Sequence, residues 1–321
     1  MSVIYLEENH PAAQRLLDNG IQVEKSEAVF GAPPLRIGVI NLMPKPVDPI
    51  GDFGTLFAGQ NAPDIEIIDF GPSAELYTST PEKQRLRAHL NSLFILQDRN
   101  LDGVILTGFG KEEISFEEID FWHEVVPVLD HVKERKIPML ASCWGSHAAL
   151  HHYHGIQKDC DMTDKISGAF AQKVTAPHHP LMKGLDGHVT MPVSRYGRSS
   201  DDGIESNPNL IVLAKSPETG TAIVTDTQGD VLYLTGHPEY NKHSLPEEYF
   251  RDLEAGTPHL RVPENIFQND VASRSNILPS SWEGTAKVLG QNWLKAVSER
   301  KQSRYQERVV APGSGNLALS A

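Results

Sequence analysis

Two residues stand where an apolar run gives out and chemistry can begin. Cys143 lies in SCWGS, at the end of IPMLASC (137–143) and the start of GSHAALHHYHG (145–155). A strand-to-helix elbow pushes its central side chain out of the sheet, and the helix N-terminus that follows lowers a thiol's pKa and offers N–H groups to an oxyanion. Ser142 and Gly145 are small enough for the close backbone approach that an elbow needs. The competing reading is a buried structural cysteine. His237 lies in LTGHPEY, at the end of a second apolar run, on a turn stiffened by Pro238. Glu239 can orient its imidazole and stabilise the charged form, the third role in a nucleophile–base–acid triad. A Gly-His-Pro turn can also be merely a turn. Both runs, as parallel strands, would deliver their last residues to one carboxyl edge, where open α/β sheets bind ligands. That coincidence favours a cysteine nucleophile with a histidine base.

The other clusters among the 14 histidines are plainer. HHYH (151–154) and His178–His179 resemble metal-ligand spacing, but no acidic or cysteine partner completes them at a familiar interval, so a solvated helix end is expected. KEEISFEE (111–118) reads as a solvated helix start, placed beside the same sheet edge by the TG (107–108) that precedes it.

The elements that must position these groups alternate. LRIGVINLM (35–43), DIEIIDF (64–70), LDGVILTG (101–108) and IPMLASC are runs suited to strands buried on both faces. Helical periodicity is expected at 9–19, 81–100, 115–136 and 145–155. Strands follow at 187–194, 210–216, 220–226 and 229–236, either extending the sheet or forming a second one. Helices return at 246–256 and 281–301, the last capped by Ser281. The fold class is therefore α/β, a doubly wound, mostly parallel sheet flanked by helices. The expected organisation is an N-terminal helix-and-loop extension (1–34), one catalytic α/β domain (35–302) and a flexible tail (303–321).

A chain of 321 residues with 29 Lys and Arg against 42 Asp and Glu carries a formal charge of −13. That argues against nucleic acid or an anionic membrane as a partner. Only Cys143 and Cys160 are present, so no disulfide framework is expected. The N-terminus lacks the basic and apolar regions of a signal peptide, and no apolar run approaches the roughly 20 residues of a membrane span. A cytoplasmic protein is expected.

The Cys elbow in CWG followed by GHPE resembles the class I glutamine amidotransferase-like fold. RIGVINLMPK (36–45), LDGVILTG, SCWGSHAAL (142–150), TDKISG (163–168), SRY (194–196), TGHPEY (235–240), YFRDLEAG (249–256) and NWL (292–294), in that order, look like the homoserine O-acyltransferase (transsuccinylase/transacetylase) family. The resemblance implies that Cys143 takes an acyl group from acyl-CoA as a thioester, with His237 as base and Glu239 supporting it. It implies that Arg251 holds the acceptor carboxylate and that Lys165 and Ser194 line the substrate site. On the residues alone, Arg251 would be an ion pair with an acid such as Glu247.

At the position of Glu112 the family separates glycine, which leaves room for a succinyl carboxylate, from glutamate, which repels it. Glutamate here implies an acetyl donor, since two carboxylates in one confined pocket repel. Acetyl-CoA is then the co-substrate, with no bound cofactor and no metal. Methionine synthesis and a homodimer are further implications. The chain departs from the family at Lys45, a possible supporting residue followed by Pro46 instead of a second lysine, at VDPIGDFG (47–54), at His147 and at Ser115. These changes bring in serine as a rival acceptor, one methylene shorter than homoserine, a difference worth only about 1–3 kcal/mol. Homoserine O-succinyltransfer, amidotransferase-type hydrolysis and a non-catalytic binding module are the other readings.

Overall fold

The computed structural model describes residues 2–28, 33–43, 47–73, 89–111, 113–159 and 164–310. Lys45, Glu112 and Cys160, and part of the helix expected at 81–100, lie outside them.

Fourteen strands and seven helices are described: β1 (Val3–Leu6), α1 (Ala13–Asp18), β2 (Gln22–Lys25), β3 (Leu35–Ile40), α2 (Val47–Phe57), β4 (Ile65–Gly71), β5 (Asn91–Ser92), β6 (Gly103–Leu106), α3 (Trp122–Glu134), β7 (Met139–Ser142), α4 (Trp144–His154), β8 (Lys158–Asp159), β9 (Ile166–Val174), β10 (His188–Arg195), β11 (Arg198–Ser199), α5 (Asp201–Glu205), β12 (Leu210–Ser216), β13 (Gly220–Asp226), β14 (Val231–Leu234), α6 (Ser244–Glu254) and α7 (Glu283–Val310). One sheet runs β10-β9-β12-β13-β14-β7-β6-β3-β4-β1-β2, with β5 beside the end of β4. From β14 to β2 every pairing is parallel; from β14 outward to β10 every pairing is antiparallel. The four strands expected in the second half therefore extend the main sheet, while β8 and β11 pair with each other in a separate two-stranded sheet.

The continuous apolar runs are explained by a helix layer on each face. Ile37, Val39, Ile105, Leu140 and Leu232 point into a core closed by Phe53 and Phe57 of α2 and Trp293 of α7. Their neighbours Ile40, Val104, Leu106, Ala141 and Tyr233 point into the opposite core, closed by Val125 and Leu129 of α3 and Trp144 and Ala148 of α4. Strands flanked on both faces lose their polar alternation, and β3, β6, β7 and β14 are almost wholly buried. A third cluster, Tyr240, Leu245, Phe267 and Trp282, seats α6.

The described elements differ from expectation at five places. Residues 1–34 are not a mere extension, because β1 pairs with β4 and β2 with β1, adding two strands to the main sheet. Residues 91–98 are not α-helical: Asn91–Ser92 is a short strand, and Leu93–Asp98 is a 3-10 helix started by the Ser92 hydroxyl accepting the Phe94 N–H. Residues 303–310, expected to be flexible, continue α7. Lys301 donates to the Asp102 carboxylate at 2.8 Å and Arg304 to the Leu101 and Asp102 carbonyls, which fixes this part of the helix on the entry to β6. The N–H of Glu283 reaches the hydroxyl of Ser280, not that of Ser281. The helix expected at 115–136 starts later: the Glu118 carboxylate accepts both the N–H and the O–H of Ser115, the turn it closes is a 3-10 helix, Phe116–Glu118, and α3 begins at Trp122.

Candidate active site

Cys143 occupies the single residue between β7 and α4, with φ 50° and ψ −117°. A non-glycine residue held there costs about 1–3 kcal/mol and persists only where its surroundings dictate it. Its N–H donates to the Leu234 carbonyl on neighbouring β14, and its own carbonyl accepts the His147 N–H that starts the ladder of α4. Gly145 makes the elbow possible: a Cβ there would lie 2.6 Å and 2.7 Å from the carbonyl oxygens of Leu106 and Thr107. The first turn of α4 is thus pressed against the end of β6. No side chain is tolerated at that contact.

His237 follows β14. Its N–H donates to the Pro192 carbonyl of β10, and its carbonyl accepts the Tyr240 N–H, so the turn is tied at both ends. The imidazole Nδ1–H donates to Glu239 Oε1 at 2.8 Å, and the ring is also hydrogen-bonded to the Cys143 sulfur. With Nδ1 taken by Glu239, Nε2 is the nitrogen left for the sulfur. Burial, the largest single influence, opposes charge on this ring; the Cys143 sulfur and the Glu239 carboxylate together outweigh it and hold the pKa well above the ordinary histidine value. The Ser142 hydroxyl donates to Glu239 Oε1 at 3.1 Å, a contact not anticipated from the sequence. Gly108, at the end of β6, lies against both reacting groups, its Cβ position 3.5 Å from His237 Cε1 and 3.6 Å from Cys143 Cβ. The three residues singled out at two strand ends therefore form one hydrogen-bonded line.

A second polar group adjoins the first. Tyr240 stacks on the His237 ring with centroids 4.1 Å apart and planes 15° from parallel. Its hydroxyl donates to Glu248 Oε1 at 2.6 Å, and the Ser194 hydroxyl donates to Glu248 Oε2 at 2.5 Å. Lys165 Nζ donates to Asp252 Oδ2 at 3.1 Å and lies 3.7 Å from Glu248. Burial would depress the Lys165 ammonium, but Glu248 and Asp252 raise its pKa. The Arg251 fork grips Asp252 Oδ1 at 2.9 and 2.7 Å through Nε and Nη2, with 62% of its side chain exposed. Its partner is thus Asp252, not Glu247. Lys165, Ser194 and Arg251 are brought together, and the sequence reading missed the residues that join them, Tyr240, Glu248 and Asp252. The signal was present: Glu248 and Asp252 stand four apart on α6, on one helix face with Arg251 between them.

The histidine runs do not converge. His151 pairs with Glu117 at 3.0 Å, His152 with Asp130 at 2.7 Å and His154 with the Tyr233 hydroxyl at 3.0 Å, while His179 Nδ1 accepts the Leu181 N–H. A trio not singled out from the sequence does converge: among the described residues, His10, Asp69 and His89 have ligand-type atoms within 4.8 Å of one another. Nε2 of His10 and of His89 lie 3.9 and 3.4 Å from Asp69 Oδ2. However, His10 Nδ1 accepts the Ala12 N–H at 3.1 Å, which puts the proton of the neutral ring on Nε2. The nitrogen facing Asp69 is a donor, and a metal ligand needs a lone pair there.

Burial pushes the His10 pKa down to about 4, with His89 adding to the effect. The folded protein keeps this ring neutral while the unfolded chain takes up a proton below about 6.5. Stability is therefore lost as pH falls from about 6.5 towards 4. Urea unfolding at pH 7 and pH 4.5 should show the wild type losing about 2–3 kcal/mol more than His10→Gln over that interval; equal losses would refute the assignment.

A mostly parallel sheet with a Cys–His–Glu line on its carboxyl edge has the architecture of class I glutamine amidotransferase-like proteins. Solved structures of this fold include a glutamine amidotransferase from Thermotoga maritima (TM-score 0.54, 13% identity, 84% of this chain and 100% of that one) and a glutamine amido transferase from Methylobacillus flagellatus (TM-score 0.51, 13% identity, 83% and 94%). Within that fold the chain belongs to the homoserine O-succinyltransferase family, whose model matches residues 3–303. Relatives include a homoserine O-succinyltransferase of Pseudoalteromonas atlantica (34% identity over 265 residues, 81% of this chain and 83% of the relative). A homoserine O-acetyltransferase of Geobacillus kaustophilus is 32% identical over 286 residues, 88% of this chain and 93% of the relative. The chain is thus an acyltransferase of this family. Among the described residues no helix is long and apolar enough to cross a membrane.

Proposed function

We propose that the chain is a homoserine O-acetyltransferase that uses acetyl-CoA and passes the acetyl group through Cys143. The observation that carries this reading is the hydrogen-bonded Cys143–His237–Glu239 line next to the Lys165, Ser194 and Arg251 group. The Cys143 thiolate attacks the thioester carbonyl, and the CoA sulfur leaves with the proton of the His237 imidazolium. The sulfur of the resulting acyl-enzyme is uncharged, so it no longer favours charge on the ring. Burial, which works against that charge, then supports neutral His237, a base ready for the next step. His237 takes the acceptor hydroxyl proton as the oxygen attacks the acyl carbon. The Cys143 thiolate is released, and the ion pair is restored. N–H groups near Trp144 and the 109–111 loop would hold the oxyanion.

Arg251 suits the acceptor carboxylate because its planar fork pairs with two oxygens. Glu112 and Lys45 enter on the sequence alone, Glu112 as the acid that disfavours a succinyl donor and Lys45 as a supporting cation. Cytoplasmic methionine synthesis and a homodimer belong to the same reading, with 35–302 as the catalytic body. Serine is the rival acceptor and succinyl-CoA the rival donor.

The test is kcat/KM over acetyl- and succinyl-CoA against homoserine and serine, for the wild type and Glu112→Gly. The wild type should favour acetyl-CoA with homoserine, and the variant should admit succinyl-CoA at least about tenfold better, since a like-charge contact is removed. A wild type that favours serine would move the protein to cysteine synthesis. An unchanged donor preference in the variant would remove the role of Glu112.

A further inference from the structure

The segment 47–54, at which the chain departs from its family, is built to receive α1. The Arg15 guanidinium donates to Asp48 at 2.6 Å and to Asp52, one helical turn further along α2. Glycines at the crossing let α1 come this close: a Cβ at Gly51 would displace the Arg15 stem, and one at Gly54 would lie 2.7 Å from Leu16 Cδ2. The two acids differ in exposure. Asp48 has 44% of its side chain accessible and Asp52 only 11%. A buried carboxylate whose cation is shared with a second acid is only partly compensated for its loss of water.

Topology brings Asp52 to the reacting groups. Helix α2 follows β3 in the chain, so its first turns stand at the carboxyl edge of the sheet, and Ile50 and Phe53 bury it on the face into which Leu140 of β7 points. Side chains alternate along a strand: Ala141 points into the opposite core, and Ser142 returns to the α2 face, where its hydroxyl holds Glu239 Oε1. Glu239 and Asp52 thus share a face, and each carboxylate feels the other. Burial raises the Asp52 pKa, Arg15 opposes that, Glu239 and Asp48 add to it, and the balance stands at about 7. Among the described residues these three are the charged groups that act on it. We propose that Asp52 is a positioning residue for acyl transfer: clamped by Arg15 on the Glu239 side of the sheet, it acts through that carboxylate on the imidazole of His237. An ionised Asp52 adds a second negative charge near the ring and strengthens its hold on the proton; a neutral Asp52 relaxes that hold. The proposal rests on the acyl-transfer reading above for the role of His237 as base.

The first readout needs no substrate. Cys143→Ala, like the acyl-enzyme, has no charged sulfur beside the ring, and in it the His237 titration is followed by NMR of histidine-labelled protein. The His237 signal is the one lost when His237→Asn is added. Adding Asp52→Asn should lower the midpoint by about 0.5–1 pH unit, the effect of one partly screened charge beyond hydrogen-bond distance. Adding Asp52→Glu instead, which keeps the charge, should restore it. Asp48→Asn, which removes an exposed acid from the same helix, should have the smaller effect. The second readout is single-turnover transfer from acetylated Cys143 to homoserine, whose rate rises with pH as His237 loses its proton. Its half-maximal pH should fall in Asp52→Asn as the NMR midpoint does. A His237 midpoint that Asp52→Asn leaves unmoved, or that Asp48→Asn lowers as much, overturns the proposal. Should Asp52→Asn not fold, Asp52→Ser removes the same charge and is read in the same way. A wild type that releases no thiol from any acyl-CoA overturns the acyl-transfer reading, while the NMR titration still decides whether Asp52 acts on the ring.

Discussion

Cys143→Ala should abolish acyl transfer, lowering kcat by at least about 10⁴-fold, while the protein remains folded. The size of the loss follows from the route. On the proposed route both half-reactions pass through the sulfur, and removing a covalent nucleophile leaves only the acceleration that binding and oxyanion contacts supply. The tolerance of the fold follows from the elbow. Cys143 is held at φ 50° by the Leu234 carbonyl on its N–H and by the contact of Gly145 with β6, and neither involves its side chain. Alanine loses one buried sulfur, a cost of about 1 kcal/mol, which in a chain of this size moves Tm by only a few degrees. Acid-quenched wild type exposed to acetyl-CoA should carry an acetyl group on Cys143, and the variant none. Turnover that survives in Cys143→Ala would refute the covalent route.

The Cys143–His237–Glu239 line was legible in the sequence because such an arrangement needs features that sequence displays: apolar runs ending abruptly, small residues at the elbow, and a proline fixing the turn after His237. The central strands were legible for a related reason, since burial on both faces leaves uninterrupted apolar runs. The elements that were missed had been disguised by their own packing. Helix α2 carries Pro49, Gly51 and Gly54, poor helix formers; yet Ile50, Phe53 and Phe57, at spacings of three and four, bury one face against the sheet, and that burial outweighs propensity. Strand β2 reads QVEK because it lies at the edge of the sheet, and β9 is broken by Gly168, which fits where Glu264 pairs alongside. The continuation of α7 past Ser303 depends on Lys301 and Arg304 finding Asp102, a contact across about two hundred residues that no local pattern announces.

The polar group beside that line was half legible. Lys165, Ser194 and Arg251 were reached only through the family resemblance, since each alone is an ordinary polar residue. Glu248 and Asp252 were hidden in an acidic helix, a composition that usually means nothing more than a solvated face. What separates them from such a face is tertiary: Tyr240 from one loop, Ser194 from β10 and Lys165 from the start of β9 all close on the same side of α6.

His237→Asn should lower the rate of thioester formation by about 10³- to 10⁴-fold and change its pH dependence, and the second effect is the more diagnostic. In the wild type the imidazolium is stabilised beside the sulfur by two hydrogen-bonded partners, Cys143 and Glu239, which hold its pKa well above the ordinary histidine value despite burial. On the proposed mechanism the proton sits on His237 and the sulfur acts as a thiolate, so the burst of CoA release should be nearly independent of pH in the neutral range. Asparagine keeps polar atoms in the space but neither holds a proton for the leaving CoA nor gives the sulfur a cation. The thiolate must then form by ordinary ionisation, for which an unassisted thiol has a pKa of about 8.5. Below that value the residual rate should rise about tenfold per pH unit, because the thiolate fraction does. Stopped-flow thiol release between pH 6 and 9 distinguishes the two profiles. If the variant instead kept the flat profile of the wild type at reduced amplitude, the thiolate would owe nothing to His237, and its stabilisation would have to come from the N-terminus of α4.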